Sequence, residues 1–201
     1  MADAAASVAT HAEETTDNAA FEGLFQRALK PEGVFAEQLR AAGYDLSKPL
    51  TRYPTRVWRA CLEVARRHVH PSKSPEEGMR LLGHAFIAGF FDTIIGKLVA
   101  VALPLLGPER LIQKFPKYWE ATRPGVTIET MVDSPTRHRL LFRDPHPMPD
   151  FVAGIIQAAL ERAGKNIRVD VGTRTVAGFE IIVMTLGSER TRLDPSAPVT
   201  S

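Results

Sequence analysis

The side chains best able to do chemistry are histidines, and His68 and His70 stand together near the end of a predicted helix. Two histidines can hold a metal ion. Residues i and i+2 of a helix point about 200° apart, however, so the rings converge only at an irregular helix end. We favour the reading in which both are cations near a helix C-terminus, where they interact favourably with the helix dipole. No metal site is expected.

A second candidate pair is His84 and Asp92, which lie eight residues apart in one predicted helix. They share a face but are about 12 Å apart along the axis, so they cannot touch. The chain also lacks G-x-S-x-G, H-E-x-x-H, a P-loop and a dinucleotide-binding fingerprint. The sequence therefore predicts no catalytic residue, and Asp92 is interpreted as a structural carboxylate. An enzyme with an unrecognised site, using His84, Asp92 or residues 138–146, is the alternative.

The most apolar stretch, "LLGHAFIAGFFDTIIGKLVAVALPLLGP" at 81–108, carries glycines and phenylalanines in a regular pattern. Gly89 and Gly96 are seven residues apart and fall on one helical face, where another helix can approach closely. Large aromatic side chains at such spacing either fill a core or border a pocket. The pattern leaves both readings open.

The same stretch is long enough to cross a bilayer, since about 20 apolar residues suffice. Asp92 and Lys97 lie near its centre. Together they cost about 5 to 7 kcal/mol on insertion scales, and the apolar side chains return at most about 7 kcal/mol. With glycines and Pro104 also present, we do not expect a membrane anchor.

Composition indicates a single globular domain of 201 residues, with 44% hydrophobic and 24% charged residues. A net charge of +2 with no basic patch gives no reason to expect nucleic acid binding.

The one cysteine, Cys61, excludes an internal disulfide and fits the cytoplasm; we expect it to be buried and unreactive. No secretory signal pattern is present. We expect a disordered lead-in at 1–19, a domain at 20–186 and a disordered tail at 187–201.

The periodicity of apolar residues predicts helices in the first half of the chain and strands in the second. The clearest start is "SPEE", a capping box with Ser74 at the N-cap, and Pro104 and Gly107–Pro108 should interrupt or kink the helix that follows. Helices are expected at 21–30, 32–46, 54–71, from 75 through the apolar stretch, at 109–122 and at 150–164, and strands at 126–133, 138–144, 166–175 and 178–186. The fold class is α+β, with a helical N-terminal half packed on a C-terminal β-β-α-β-β antiparallel sheet.

Several spaced motifs in this order resemble a paralogous family of unknown function from myxobacteria, whose members have about this length. They are "FEGLF", "AAGYDLSKPLTRYPTRVWRACLEVA", "EEGMRLLGHAFIAGFFDTIIGK", "LLGPERLIQKFPKYW" and "PDFVAGIIQAALERAG". The resemblance covers roughly residues 21–186. It implies no established activity.

More distantly, the chain is similar to haem nitric-oxide-binding domains and to four-vinyl-reductase type domains, which bind small hydrophobic ligands. The matching features are Tyr53-Pro54 at a helix start, the glycine and phenylalanine pattern at 83–90, and "F-x-x-G" at 151–154. In those families the glycine-bearing helix lines the cavity, and a homodimer is common. The resemblance therefore implies these candidate pocket residues: Phe86, Phe90, Ile94, Leu98, Tyr118 and Trp119.

No cofactor is expected. Residues 96–122 contain no histidine to serve as the proximal haem ligand, and "HRLLFRDPH" has no Tyr-x-Ser-x-Arg motif for the propionates. A zinc site built on several cysteines cannot form with Cys61 alone.

The sequence thus predicts a cytoplasmic, non-enzymatic domain that senses a small hydrophobic ligand or binds a protein partner, without nucleic acid or membrane. Besides the enzyme, a second alternative is a structural interaction protein with a solid core and no ligand. A cavity beside Phe86, Phe90 and Trp119 would favour the ligand sensor. A cleft that brings together a histidine, a carboxylate and a hydroxyl would favour the enzyme.

Overall fold

The computed structural model describes residues 14–123, 125–164 and 166–186, apart from the side chains at 94–96, 98–100, 102–104, 106 and 121–122. The helices are α1 (Asn18–Phe21), which continues as a π-helical segment (Glu22–Leu29), then α2 (Gly33–Ala41), α3 (Thr55–Val69), α4 (Pro75–Phe91), α5 (Ile94–Thr122) and α6 (Pro149–Arg162). The strands are β1 (Thr15–Asp17), β2 (Arg52–Pro54), β3 (Thr127–Ser134), β4 (Arg137–Arg143), β5 (Ile167–Thr175) and β6 (Gly178–Thr185). The predicted α+β class is confirmed.

The start of the described chain differs from the expected lead-in. Residues 15–17 form β1 and residues 18 and 19 begin α1, and β1 pairs antiparallel with β2, with Thr16 opposite Tyr53. Pairing with a strand 37 positions later in the chain gives no periodic pattern in the local sequence. The rest of the expected lead-in, residues 1–13, and the expected tail at 187–201 lie outside the described residues.

The predicted helix at 21–30 is present, mainly as the π-helical segment. It buries Phe21, Leu24 and Phe25 completely, and their rings and side chains meet Tyr44, Tyr53 and Trp58 in the N-terminal core. Lys30 takes a left-handed conformation, φ 47°, and ends the segment. The N-terminal helices are therefore held together by a cluster of aromatic rings.

Helix α4 begins as the capping box predicts, with the Glu77 N–H donating to Ser74 Oγ at 3.2 Å. The expectation of one helix through the apolar stretch is wrong, because α4 ends at Phe91 with the exposed Asp92 as its C-cap. Thr93 explains the break: its hydroxyl and its N–H both donate to the Phe90 carbonyl, at 2.7 and 3.0 Å, and close a tighter turn.

Helix α5 continues through Pro104 and is kinked at Gly107, where φ is 71° and ψ is 162°. This kink confirms the prediction for Gly107–Pro108. Across the described ranges, no helix combines the length and the apolar character that a membrane span requires.

Glycines let α4 touch its neighbours at the level of the backbone. A Cβ on Gly83 would overlap the Phe151 carbonyl oxygen of α6, and one on Gly154 would overlap the Arg80 carbonyl oxygen of α4. A Cβ on Gly89 would overlap the carbonyl oxygen of Gly23 in the π-helical segment. Close approach is thus confirmed at Gly89, whereas the surroundings of Gly96 lie outside the described side chains.

The C-terminal strands form the predicted antiparallel β-β-α-β-β sheet, and the described strands lie in the order β3-β4-β6-β5, which the sequence did not predict. Leu140 of β4 lies opposite Ile181 of β6, and Phe142 lies opposite Phe179. These alternate positions are buried, so one face of the sheet packs against α5 and α6.

Candidate ligand-binding site

A cavity of about 350 Å³ lies among α3, α4, α5 and α6, and the N-terminal segment, residues 14–20, forms part of its wall. Its described lining is almost entirely apolar. The aromatic side chains of the lining, apart from Tyr118, are Trp58, Phe86, Phe90, Phe115, Trp119 and Phe151. Cavities of about 300 to 1,000 Å³ with such a lining are typical of small-molecule sites.

Ring contacts fix much of this aromatic wall. Trp58, Phe86 and Phe151 come from three different helices and meet edge to face, with ring centroids 5.8 to 6.2 Å apart. On α5, Phe115 and Trp119 lie 5.3 Å apart. Edge-to-face pairs are a preferred aromatic geometry, so the cavity is bordered by packed rings in defined positions.

Four of the six candidate pocket residues line this cavity: Phe86, Phe90, Tyr118 and Trp119. Tyr118 is 53% exposed, which puts it at the rim. The side chains of the other two, Ile94 and Leu98, lie outside the described residues. That these residues bind a ligand stays a prediction.

Sequence reasoning did not name Trp58, Phe115 or Met148 as pocket residues, although all three line the cavity. Phe115 could have been found, because it lies one helical turn before Trp119. Phe151 also lines the cavity, and it belongs to the "F-x-x-G" motif that carries the resemblance to ligand-binding domains.

At one end of the cavity Arg123 belongs to a polar cluster, and we call Glu14, Arg123, Asp144 and His146 the polar end; of these four, Arg123 alone is among the described lining residues. Arg123 is the one cationic side chain among the described lining residues. Its guanidinium donates to Glu14 Oε1 at 2.7 Å and to Asp144 Oδ2 at 2.8 Å. Asp144 is completely buried and also accepts from the His146 N–H at 2.8 Å. The cluster joins the N-terminal segment to the end of α5 and to the loop before α6.

A surface groove of about 530 Å³ between α3 and the start of α6 adjoins the cavity. It shares Met148 and Phe151 with the cavity, and the rest of its lining combines charged side chains such as Arg59 and Glu63 with apolar ones. Hydrogen bonds from the Arg66 guanidinium lower the pKa of Glu63 to about 2, so this carboxylate is ionised at neutral pH.

The histidine candidates do not converge on a reaction centre. His68 stacks on Phe35 with ring centroids 4.4 Å apart, and His70 is the C-cap of α3. Burial lowers the pKa of His70, and burial likewise lowers that of His84, which lies in a groove between α4 and α6. Both rings are therefore mainly neutral at pH 7, so the interpretation of His70 as a cation near the helix C-terminus is wrong.

His138 is buried on β4, and neither of its ring nitrogens has a hydrogen-bond partner in the described part of the chain. His146 approaches Glu14, with 3.8 Å between Nε2 and Oε2, which is beyond hydrogen-bonding distance. Among the described residues, no three of the His, Cys, Asp and Glu side chains are grouped so that they could hold a metal ion.

Cys61 is fully buried in α3, as predicted, and burial raises the pKa of its thiol to about 12. The thiolate is the reactive form, so we expect almost no alkylation by iodoacetamide at pH 8 in the native protein. In denaturant, alkylation should be complete. The mass added to the intact protein measures this directly, and rapid labelling of the folded chain would contradict it.

Comparison with known proteins gives one family match. The sequence model of a family described as "Protein of unknown function (DUF2378)" matches residues 14–181. A search of curated proteins finds no match.

Among solved structures the chain is similar to H-NOX proteins, the haem nitric-oxide-binding class. An unliganded Fe(II) H-NOX protein from K. algicida is 10% identical, with a TM-score of 0.64 over 87% of this chain and 98% of that one. The Fe(II)NO form of an H-NOX protein from S. oneidensis is also 10% identical, with a TM-score of 0.67 over 86% and 100%. An oxygen-binding H-NOX domain related to soluble guanylate cyclases is 13% identical, with a TM-score of 0.59 over 92% and 95%. At these identities the likeness establishes the fold.

Proposed function

Since the chain belongs to the DUF2378 family of proteins of unknown function and has the fold of H-NOX proteins, we propose that it is a ligand-sensing domain. Its ligand is a small apolar molecule bound in the cavity between the helices. The observation that carries this proposal is the cavity itself, about 350 Å³ in volume, with aromatic side chains from four helices around it.

The related H-NOX structures contain iron, so the fit of haem to this cavity needs a test on its own residues. Haem iron is held by histidine, cysteine, methionine or tyrosine. The described lining offers no histidine or cysteine, only Met148 and the half-exposed Tyr118. Arg123, the cation available to a propionate, already pairs with two carboxylates. These residues do not fit haem, and we propose that the domain works without it.

The N-terminal segment is the part of the wall best suited to report binding. Thr16, Asp17, Ala19 and Ala20 line the cavity. The segment is attached through the three-residue pairing of β1 with β2, through two further backbone hydrogen bonds, Thr55 N–H to the Glu14 carbonyl and Asn18 N–H to the Thr51 carbonyl, and through the ion pair of Glu14 with Arg123. Segments held by few contacts open most readily. A ligand that touches Ala19 and Ala20 therefore acts on the part of the domain that is easiest to move.

Two alternatives receive less support. A domain with a solid core would fill the space beside Phe86, Phe90 and Trp119 rather than leave a cavity there. An enzyme needs a nucleophile, a base and an orienting group within reach of one another. His146 Nε2 lies 3.8 Å from Glu14 Oε2, beyond hydrogen-bonding distance, so this pair is not arranged as a base with its orienting group. We therefore propose a non-enzymatic role, and the lone cysteine supports a reducing, cytoplasmic setting.

Two measurements test the proposed function. Native mass spectrometry of freshly purified protein should reveal a co-purified small molecule, and the same spectrum reports whether the chain forms the expected homodimer. The chain has two tryptophans, Trp58 and Trp119, and both line the cavity. Titration with the neutral dye N-phenyl-1-naphthylamine should therefore quench the intrinsic fluorescence with saturation at one dye per chain. Absence of saturable quenching would argue against a ligand site.

A side chain that fills the cavity should weaken the binding of the dye. Ala20 lines it, so Ala20→Phe places an aromatic ring where the ligand would lie. We expect the dye affinity to fall about fivefold or more, because overpacking costs about 1 to 3 kcal/mol and 1.4 kcal/mol corresponds to a factor of ten. Fluorescence titration measures the loss. Ala41→Phe is the matched control, since Ala41 is exposed at the end of α2. Unchanged affinity in Ala20→Phe would place the dye elsewhere.

A further inference from the structure

The polar end of the cavity restricts the charge of the ligand, an inference that rests on the proposed function. A lone arginine in an apolar cavity would attract an anionic head group. Arg123 is not alone. Its Nε and Nη2 donate to Glu14 Oε1 at 3.2 and 2.7 Å, and its Nη1 and Nη2 donate to the two carboxylate oxygens of Asp144 at 2.8 and 3.2 Å.

These hydrogen bonds tie Arg123 to two carboxylates that a ligand cannot easily displace. All three of its nitrogens already donate to a carboxylate. Asp144 is completely buried, so a ligand that drew Arg123 away would leave an unpaired charge in the interior. Such a charge is strongly unfavourable. The guanidinium therefore neutralises the protein's own carboxylates and is not available to a ligand.

The described charges near this end are predominantly negative. Asp17, a third carboxylate, lines the cavity, and its nearest cation is the exposed Arg52 at 4.0 Å. Glu14 Oε2 is buried and accepts no hydrogen bond from any described residue; the ring of His146 lies 3.8 Å away. Asp17 and Arg52 are both more than half exposed, whereas Glu14 and Asp144 leave Arg123 with one negative charge in excess. A negative head group would meet repulsion here, whereas a donor could bond to the Asp17 carboxylate, which lines the cavity.

We propose that the cavity excludes anionic ligands and takes apolar molecules with a neutral or cationic, hydrogen-bond-donating head group, such as alkyl alcohols and alkyl amines. The apolar body lies against the aromatic wall, and the head group lies toward Asp17 and Arg123. A carboxylate of the same chain length meets the excess negative charge and binds more weakly.

Three probes that differ in the head group alone test this: 1-decanol, decylamine and sodium decanoate, each titrated into the full chain at pH 7 with tryptophan fluorescence as the readout. We expect decanoate to bind at least about tenfold more weakly than decanol, because like charges placed together at a binding site are costly. Decylamine should bind at least as tightly as decanol. Decanoate binding equal to or tighter than decanol would overturn the inference.

The two proposals fail in different ways. If neither the naphthylamine dye nor any decyl probe binds, the proposed ligand site itself is wrong. If the dye and decanoate both bind well, the site stands and the charge selection is wrong. Dye binding with no decyl probe bound would also overturn the selection of alkyl alcohols and amines.

One variant tests whether the excess negative charge causes the selectivity between decanol and decanoate. Glu14→Gln removes one negative charge but keeps an oxygen that can accept from Arg123. We expect the affinity gap between decanol and decanoate to narrow by at least about threefold, because a like charge is gone. Glu22→Gln is the control, since Glu22 pairs with Arg27 on the surface, whereas Glu14 pairs with Arg123 of the cavity lining. An unchanged gap in Glu14→Gln, with circular dichroism like that of the wild type, would overturn the assignment.

Discussion

Gly83→Ala is expected to destabilise the protein by about 3 kcal/mol or more, a large fraction of the stability of a typical domain. The new methyl group would overlap the Phe151 carbonyl oxygen and would lie 2.8 Å from the Ile155 nitrogen of α6. Both are backbone atoms, so no side chain can rotate away to make room. The two helices must separate, and the edge-to-face contact of Phe86 with Phe151 is lost with them.

Urea unfolding followed by circular dichroism measures this change in the free energy of unfolding. Gly154→Ala should have a similar effect, because its methyl group would meet the Arg80 backbone from the other side. Gly125→Ala is the matched control: a Cβ there meets nothing within 4 Å. If Gly83→Ala unfolds at the same urea concentration as Gly125→Ala, the helices are not packed as closely as described.

Arg123→Met is the second substitution with a large expected effect, a loss of about 3 to 5 kcal/mol. Methionine keeps much of the apolar stem but leaves the carboxylates of Glu14 and Asp144 without their cation. Asp144 is completely buried, so its charge cannot be hydrated. The N-terminal segment also loses its ion pair to the end of α5.

The same unfolding assay applies, with Arg67→Met as the control. Arg67 pairs with Glu63 at 2.7 Å, but its side chain is 72% exposed, and a surface pair is worth about 0 to 1 kcal/mol. Equal stability of the two variants would show that the polar end does not hold the domain together. Faster proteolytic cleavage near the N-terminus in Arg123→Met is expected as an independent sign that the segment has been released.

Local chemistry explains which elements could be predicted from the sequence. The capping box at Ser74 and the alternation in β3 to β6 depend on residues a few positions apart, and both are confirmed. The helix break at Thr93 is also local, but it depends on one hydroxyl bonding the Phe90 carbonyl, which hydrophobic periodicity does not register. The pairing of β1 with β2 was missed because three residue pairs leave no periodic trace.

Some residues of the candidate site could likewise be predicted from the sequence, and others could not. Phe86 and Phe90 on α4 could be named because the resemblance to ligand-binding domains pointed to their helix. Trp58 joins them from a helix earlier in the chain, through packing that no spacing rule encodes. The polar end is less predictable still, since Glu14 and Arg123 are 109 positions apart in the chain. An arginine in a helical pattern gives no indication of the carboxylate that it will meet.

The two glycine contacts of α4 determine how this helix can respond to a ligand. Gly83 touches α6 and Gly89 touches the π-helical segment, at points about 9 Å apart along the axis. A helix that contacts its neighbours on two sides, at two levels along its axis, can neither rotate about that axis nor slide along it. Phe86 lies between the two glycine contacts and Phe90 lies just past the second, so both rings keep a constant direction. Helix α4 is therefore held in place on two sides, and under the proposed function a ligand would displace the N-terminal segment.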